Sequence, residues 1–194
     1  KPYDKHSCGT IQSEASAFVV LESETHAIKR GVPILAKVLS CVSNVEPTSN
    51  IQKYNSSLFL EKAILNCVKN ANIDLNDIGV IIGDGCGARH LDALEFMAYK
   101  KIFNQCKSFI PLVSIKSVIG ETAEASGICS IICALRCLDT KIIPPTINYN
   151  EHDFGDSKIT LSSKSQKLNK DIALVVTRSI NGINSCILLQ RYIT

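Results

Sequence analysis

Residues 81–92 read Ile-Ile-Gly-Asp-Gly-Cys-Gly-Ala-Arg-His-Leu-Asp. An apolar run ends in alternating glycines and then passes into a helix. Strand, bend and helix in that order are the repeating unit of a layered α/β fold. The bend admits three chemistries: a phosphate cradle, a hard-metal site, or a seat for a catalytic side chain. A dinucleotide loop needs G-x-G-x-x-G, and a Walker loop needs G-K-[ST]. Gly83, Gly85 and Gly87 supply neither pattern, and Asp84 repels a phosphate. Asp84, Asp92, Glu95 and Glu121 offer oxygen donors for a hard cation, but Lys116 opposes one.

The same alternation extends in both directions. Upstream, Ala15–Glu22 reads as a strand and Glu24–Arg30 as a short helix stopped by Gly31. Ile34–Ser43 reads as a strand, Asn44–Asn55 as a polar loop, and Ser57–Lys69 as a helix with Leu58, Ile64, Leu65 and Val68 at helical spacing. Asn72–Leu75 turns the chain into the buried strand Ile78–Ile82. Downstream come a helix over His90–Phe103, a strand over Phe109–Ile115, and a long helix over Thr122–Leu138 buried all round. Lys141–Thr146 is a stiff extended exit. Asn148–Lys170 is irregular with a short strand at Lys158–Leu161. Ile172–Thr177 and Ser185–Tyr192 form an antiparallel pair across a Gly/Asn turn. The first strand has no helix before it to cover it, so the chain reads as starting in mid-fold.

The totals narrow the function classes. The 194 residues fit one domain or part of a larger one. Hydrophobic residues make up 45%, enough for a sizeable core, and a net charge of +3 without a basic stripe excludes a nucleic-acid footprint. No apolar run has the length of a membrane span, and no signal peptide opens the sequence. The nine cysteines are odd in number and lack paired C-x-x-C spacing, which argues against a zinc site. Cys129, Cys133 and Cys137 share one helix face and read as a seam of small hydrophobes, with a metal or disulfide as the alternative. Free thiols suggest the cytoplasm.

Four segments carry a resemblance. Pro2-Tyr3-Asp4, Glu14 and Val20-Leu21-Glu22 match a Pro-aromatic-Asp start and a V-L-E strand end, with Ser13 and Ala15 replacing glycines. Ser114–Gly120 looks like a Lys-Ser-x-x-Gly motif, Ile143–Asn148 like an I-P-P-T-x-N segment, and the last two strands like a terminal strand-turn-strand. In collinear order over nearly the whole chain, these resemble the beta-ketoacyl synthase family. The resemblance implies a thiolase-like α-β-α-β-α fold of two similar halves. The chain then reads as the end of the first half (1–45) and the second half (46–194). It also implies an enzyme that joins acyl units by decarboxylating condensation, with a cysteine nucleophile and two histidines. The nucleophile lies upstream of the Pro-aromatic-Asp segment. None of the nine cysteines matches it, so no residue here is proposed as catalytic and none as a metal ligand.

In register with the family, the first histidine position is Asp84 and the second is Glu121. His90 lies six residues past Asp84, at a helix start, and reads as an exposed residue without a chemical role. A carboxylate cannot donate a hydrogen bond unless protonated, and each lost donor to a developing oxyanion costs about 10²–10³ in rate. The family's glutamate partner of the motif lysine is Ser130 here, so Lys116 loses one acid and gains Asp84 or Glu121 as partner in a buried structural ion pair.

The family's Gly-Phe-Gly-Gly-Thr-Asn gating loop is replaced by Ser179-Ile180-Asn181-Gly182-Ile183-Asn184 after Arg178. Arg178 reads either as a surface residue or as an interface or loop anchor. Gly182 and Asn184 read as residues that shape the turn, with ligand binding as the alternative. The pattern V-x-R-x-x-x-G-x-N-S resembles the chain-length factor, or ketosynthase beta subunit, of type II polyketide synthases. That resemblance implies a non-condensing subunit paired with a ketosynthase alpha subunit. The N-terminal half of the same subunit completes its fold. Substrate arrives on the phosphopantetheine arm of an acyl carrier protein, with no cofactor bound. The alternatives are a malonyl-carrier-protein decarboxylase supplying starter units, or an architectural partner only.

Overall fold

The computed structural model describes residues 1–47, 56–179 and 181–193. Part of the expected loop over Asn44–Asn55, and Ile180, lie outside the described residues. Among the described residues, eight strands and five α-helices follow in chain order: α1 (Glu24–Arg30), β1 (Ala36–Val45), α2 (Leu58–Ala71), β2 (Ile78–Ile82), α3 (Arg89–Phe103), β3 (Ile110–Val113), α4 (Lys116–Ile119), α5 (Ser126–Thr140), β4 (Ile142–Ile143), β5 (Ile159–Thr160), β6 (Gln166–Lys167), β7 (Ile172–Arg178) and β8 (Ile183–Arg191). Six strands form one sheet in the order β1-β8-β7-β2-β3-β5, while β4 and β6 pair separately. The β7-β2-β3-β5 part is parallel, and β1, β8 and β7 are antiparallel.

The parallel strands are apolar on both faces because both faces are covered. Along β7, Ile172, Leu174 and Val176 point into a core built with Ile64 and Cys67 of α2 and Phe96 and Tyr99 of α3. The alternate residues Ala173 and Val175 point the other way, against Ala134, Cys137 and Leu138 of α5. This is the period-2 alternation of a strand between two helical layers, so the layered α/β expectation holds. Each fully buried Ile, Leu or Phe in these layers stabilises by about 1.5–3 kcal/mol relative to exposure.

Local signals set several boundaries. Ser23 accepts the His26 N–H at the start of α1, and Gly31 ends it at φ 71°. Asn72 closes α2 in the left-handed region, and Asp74 and Asp77 form a reciprocal capping box before β2.

Three expectations are corrected. Ala15–Glu22 forms no strand: it has no ladder neighbour among the described residues, and Phe18, Val20 and Leu21 are 87%, 72% and 81% exposed. The predicted helix over Thr122–Leu138 is broken, with a 3₁₀ turn at Ala123–Ala125 preceding α5, because Ala123 adopts φ +50°. Nor is α5 buried all round. Ser126, Ser130, Ala134, Cys137 and Leu138 face the core, while Cys129 and Cys133 are half-buried free thiols. Finally, the strand expected over Ile34–Ser43 starts at Ala36 and runs to Val45, bonded to β8 on the edge of the six-stranded sheet.

Candidate functional site

The glycine loop between β2 and α3 is held by two buried acids of α3. The Asp92 carboxylate accepts the N–H groups of Cys86 (2.9 Å), Gly87 (3.0 Å) and Tyr3 (2.8 Å). Glu95 Oε1 accepts the Asp84 N–H (2.8 Å), the Tyr3 hydroxyl (2.9 Å) and the Tyr99 hydroxyl. The Gly85 N–H donates to the Tyr3 oxygen at 3.0 Å. The four N–H groups from Asp84 to Gly87 are thus already satisfied within the fold. A phosphate would find no free donor there, which removes the cradle reading.

Glycine is required at residue 85 by close approach. A Cβ there would lie 2.4 Å from Tyr3 Cζ. At Gly87, which has φ +87°, a Cβ would lie 2.5 Å from the Gly9 carbonyl oxygen.

With its backbone fixed by Glu95, Asp84 points its side chain at Lys116. Lys116 Nζ donates to Asp84 Oδ1 at 2.9 Å and to Glu121 Oε2 at 2.6 Å. The side chains of the three are 5%, 13% and 18% exposed for Lys116, Asp84 and Glu121. The Lys116 turn is joined to its surroundings at both ends. The Ser114 hydroxyl donates to the Gly85 carbonyl (2.6 Å), the Thr146 hydroxyl accepts the Ser114 N–H (3.2 Å), and the Ser117 hydroxyl accepts the Ile147 N–H (2.9 Å). These bonds tie the Lys-Ser segment to the Pro-Pro-Thr segment. Glu121 is further held by the Ser126 hydroxyl (2.6 Å) and the Ala123 N–H (3.0 Å) on its other oxygen.

Burial alone pulls the Lys116 ammonium down, but Asp84 and Glu121 outweigh it and hold it above the ordinary lysine range. Glu121 is pushed up by burial, yet hydrogen bonds from Lys116 and Ser126 leave it below its ordinary value. Asp84 lies deeper. Burial lifts it, with Lys116 opposing and the Glu121 charge adding to the rise. The arrangement is a buried cation clamped between two acids.

These three residues line a cavity of about 200 Å³, together with Ser126, Thr177 and Arg178. None of the four histidines in the sequence lines it. His152 packs on Phe96 and Phe154, His26 pairs with Glu22, the His6 N–H bonds to Asp4, and His90 is exposed at the second residue of α3. The cavity therefore presents carboxylates and hydroxyls around an ammonium, with no imidazole to donate to an oxyanion.

The β7–β8 turn closes one side. Arg178 donates to the Leu91 carbonyl at 3.0 Å and to Asn184 Oδ1 at 3.3 Å, so it anchors the loop. Asn184 is buried, and its amide reaches Asn44 Oδ1 (3.3 Å) and the Gly182 carbonyl (3.4 Å). Ser179 accepts the Gly182 N–H at 2.9 Å and donates its own N–H to Ile183, and its hydroxyl accepts the Asn181 N–H at 3.1 Å. Ile180 lies outside the described residues. Ser130 is buried on α5 and takes no part in the Lys116 contacts among the described residues.

Sequence reasoning missed Tyr3, Ser114 and Ser126. The signal for Tyr3 was present: a large aromatic in a fixed tripeptide, facing two glycines that leave it room.

Comparison with known proteins agrees with this framework. Residues 35–150 match the family model described as beta-ketoacyl synthase, C-terminal domain. The chain is 26% identical over 189 residues to a Streptomyces cyaneus protein named putative polyketide beta-ketoacyl synthase 1, covering 97% of this chain and 45% of that protein. It is 27% identical over 191 residues to the tetracenomycin polyketide synthase ketoacyl synthase alpha subunit of Streptomyces glaucescens, covering 98% and 45%. The chain thus spans about half the length of these relatives. The ishigamide ketosynthase/chain length factor structure superposes with a TM-score of 0.88 at 24% identity, covering 98% of this chain and 46% of that one. The six-stranded sheet between helical layers is a mixed α/β, thiolase-like ketosynthase fold, and the chain belongs to the beta-ketoacyl synthase family.

Proposed function

We propose that this chain is part of a non-condensing chain-length-factor subunit of a type II polyketide synthase, paired with a ketosynthase alpha subunit. The observation that carries the reading is the double contact of Lys116 with Asp84 and Glu121 in a cavity without an imidazole. Condensation needs donors aimed at developing negative charge. Here the two positions in register with the family's histidines carry negative charge, and Lys116, the cation that bridges them, is already engaged. The subunit's contribution is then to shape the growing poly-β-ketone. The alpha subunit supplies the chemistry, and an acyl carrier protein delivers the chain on its phosphopantetheine arm. The exposed Phe18, Val20 and Leu21 support a covering neighbour, which we assign to the N-terminal half of the same subunit.

Exchanging this subunit between two synthases that make products of different length tests the reading. Product length that follows the exchanged subunit supports it, and length that follows the alpha subunit refutes it. Carbon dioxide release from malonyl carrier protein, lost on D84N or E121Q, would instead favour a starter-supplying decarboxylase.

A further inference from the structure

Lys116 sits where a lysine ordinarily becomes a nucleophile. Its side chain is largely buried, and it lines the cavity beside Thr177 and Ser126. Burial disfavours the charged form, so a lysine taken out of water without a partner drifts toward the neutral amine. A neutral amine in such a place condenses with carbonyl compounds.

The site opposes that outcome twice. Nζ donates to Asp84 Oδ1 at 2.9 Å and to Glu121 Oε2 at 2.6 Å, which engages two of its three protons on carboxylates. The two acids come from different loops, one after β2 and one after α4, and converge on a single nitrogen. Both loops are held. The Asp84 N–H is bonded to Glu95, and the other oxygen of Glu121 accepts the Ser126 hydroxyl and the Ala123 N–H. One carboxylate would balance the ammonium. The second makes the trio net negative and ties the proton to nitrogen through a further charge-assisted bond. Among the described residues that line the cavity, Asp84, Glu121 and Glu124 face Lys116 and Arg178, so the balance of charge also favours the ammonium.

We propose that Asp84 and Glu121 guard Lys116 against condensation with ketones: the double contact keeps the side chain an ammonium ion, which has no lone pair to give to a carbonyl carbon. The proposal rests on the reading above for its class of substrate, a chain built of 1,3-diketone units. The chemistry it concerns belongs to Lys116 alone.

The sign follows from what each group does. Burial is the largest influence on Lys116 and lowers its proton affinity, and the Asp84 charge with the hydrogen bonds to Glu121 and Asp84 more than reverses it. Without the two negative charges burial stands unopposed, and the neutral amine gains. The condensation so prevented involves no change of oxidation state. Nζ bonds to a carbonyl carbon. The carbonyl oxygen leaves as water, taking one proton from nitrogen and one from the methylene between the ketones. A conjugated enaminone remains.

The small diketone 2,4-pentanedione carries the same unit and serves as the probe. The intact protein is incubated with it at about pH 8, and the modified lysines are located by peptide mass. In the unmodified protein, exposed lysines should gain the mass of the diketone less one water while Lys116 stays unmodified. In D84N/E121Q, whose amides keep the shape of the acids, reaction at Lys116 should be at least about ten times faster. That is the factor by which the neutral fraction rises when the titration midpoint falls by one pH unit. Equal rates at Lys116 in the two folded proteins overturn the proposal, and so does a Lys116 that reacts as fast as exposed lysines in the unmodified protein. Should D84N/E121Q fail to fold, the pH profile of the unmodified protein decides. Reaction at Lys116 that rises only at higher pH than at exposed lysines supports the guard, and reaction that rises with theirs or earlier overturns it. Subunit exchange between synthases reads a different quantity: product length that followed the alpha subunit would refute the chain-length reading and leave the probe result as it stands.

Discussion

Replacing Lys116 by methionine would leave Asp84 and Glu121 facing each other in a largely buried site. Removing one partner of a buried ionic contact costs about 3–5 kcal/mol, because the remaining charge loses its compensation. The K116M variant is expected to show a loss of that size in urea denaturation, and K116M/D84L/E121L should recover most of it. The acid limb of stability tests the same contact from the other side. Glu121 is held below its ordinary carboxylate value of 4.5. Its contribution is therefore complete above that value and is lost as pH falls through the lower, folded one. In E121Q the denaturation midpoint should vary less with pH in that acid window than in the unmodified protein.

At the scale of elements, the glycine loop and the segment around Tyr3 are one packing unit. A Cβ at Gly85 would lie 2.4 Å from the Tyr3 ring. Overpacking of this kind costs about 1–3 kcal/mol, and G85A is expected to lose that much. Combined with Y3L, the two effects should be non-additive by at least about 0.5 kcal/mol in a double-mutant cycle, since the residues share one contact.

The same scale shows what local sequence can and cannot report. The stop of α1 at Gly31, the run Ile78–Ile82 and the β7–β8 pair were legible, because a left-handed cap, a continuous apolar run and a polar turn are local signals. Ala15–Glu22 was not. Its β-forming residues need a ladder neighbour, which the strand's own composition does not supply. The break before α5 depends on Ala123 adopting φ +50°, a conformation imposed by the Glu121 contacts and not by alanine. At the site, Asp84, Lys116 and Glu121 were found by their register within short motifs. The holding roles of Asp92, Glu95 and Tyr3 depend on backbone N–H directions that no side-chain pattern encodes.

For the whole molecule, the apolar stretch around Phe18, Val20 and Leu21 is the feature that a lone domain would not present. Substituting V20E and L21K is expected to leave the intrinsic stability of the described fold within about 0.5 kcal/mol, since both side chains are exposed in it. Association with a separately expressed N-terminal half, the neighbour expected to cover them, should be lost, as read by light scattering after size-exclusion chromatography.

The central claim is that acids clamped on Lys116 leave this subunit unable to form carbon–carbon bonds. It is tested most directly by assembling the subunit with an alpha partner whose own nucleophile has been removed, and supplying malonyl carrier protein and an acyl thioester. The account predicts no elongated product above background. Multiple-turnover elongation that disappears on D84N or E121Q would contradict it.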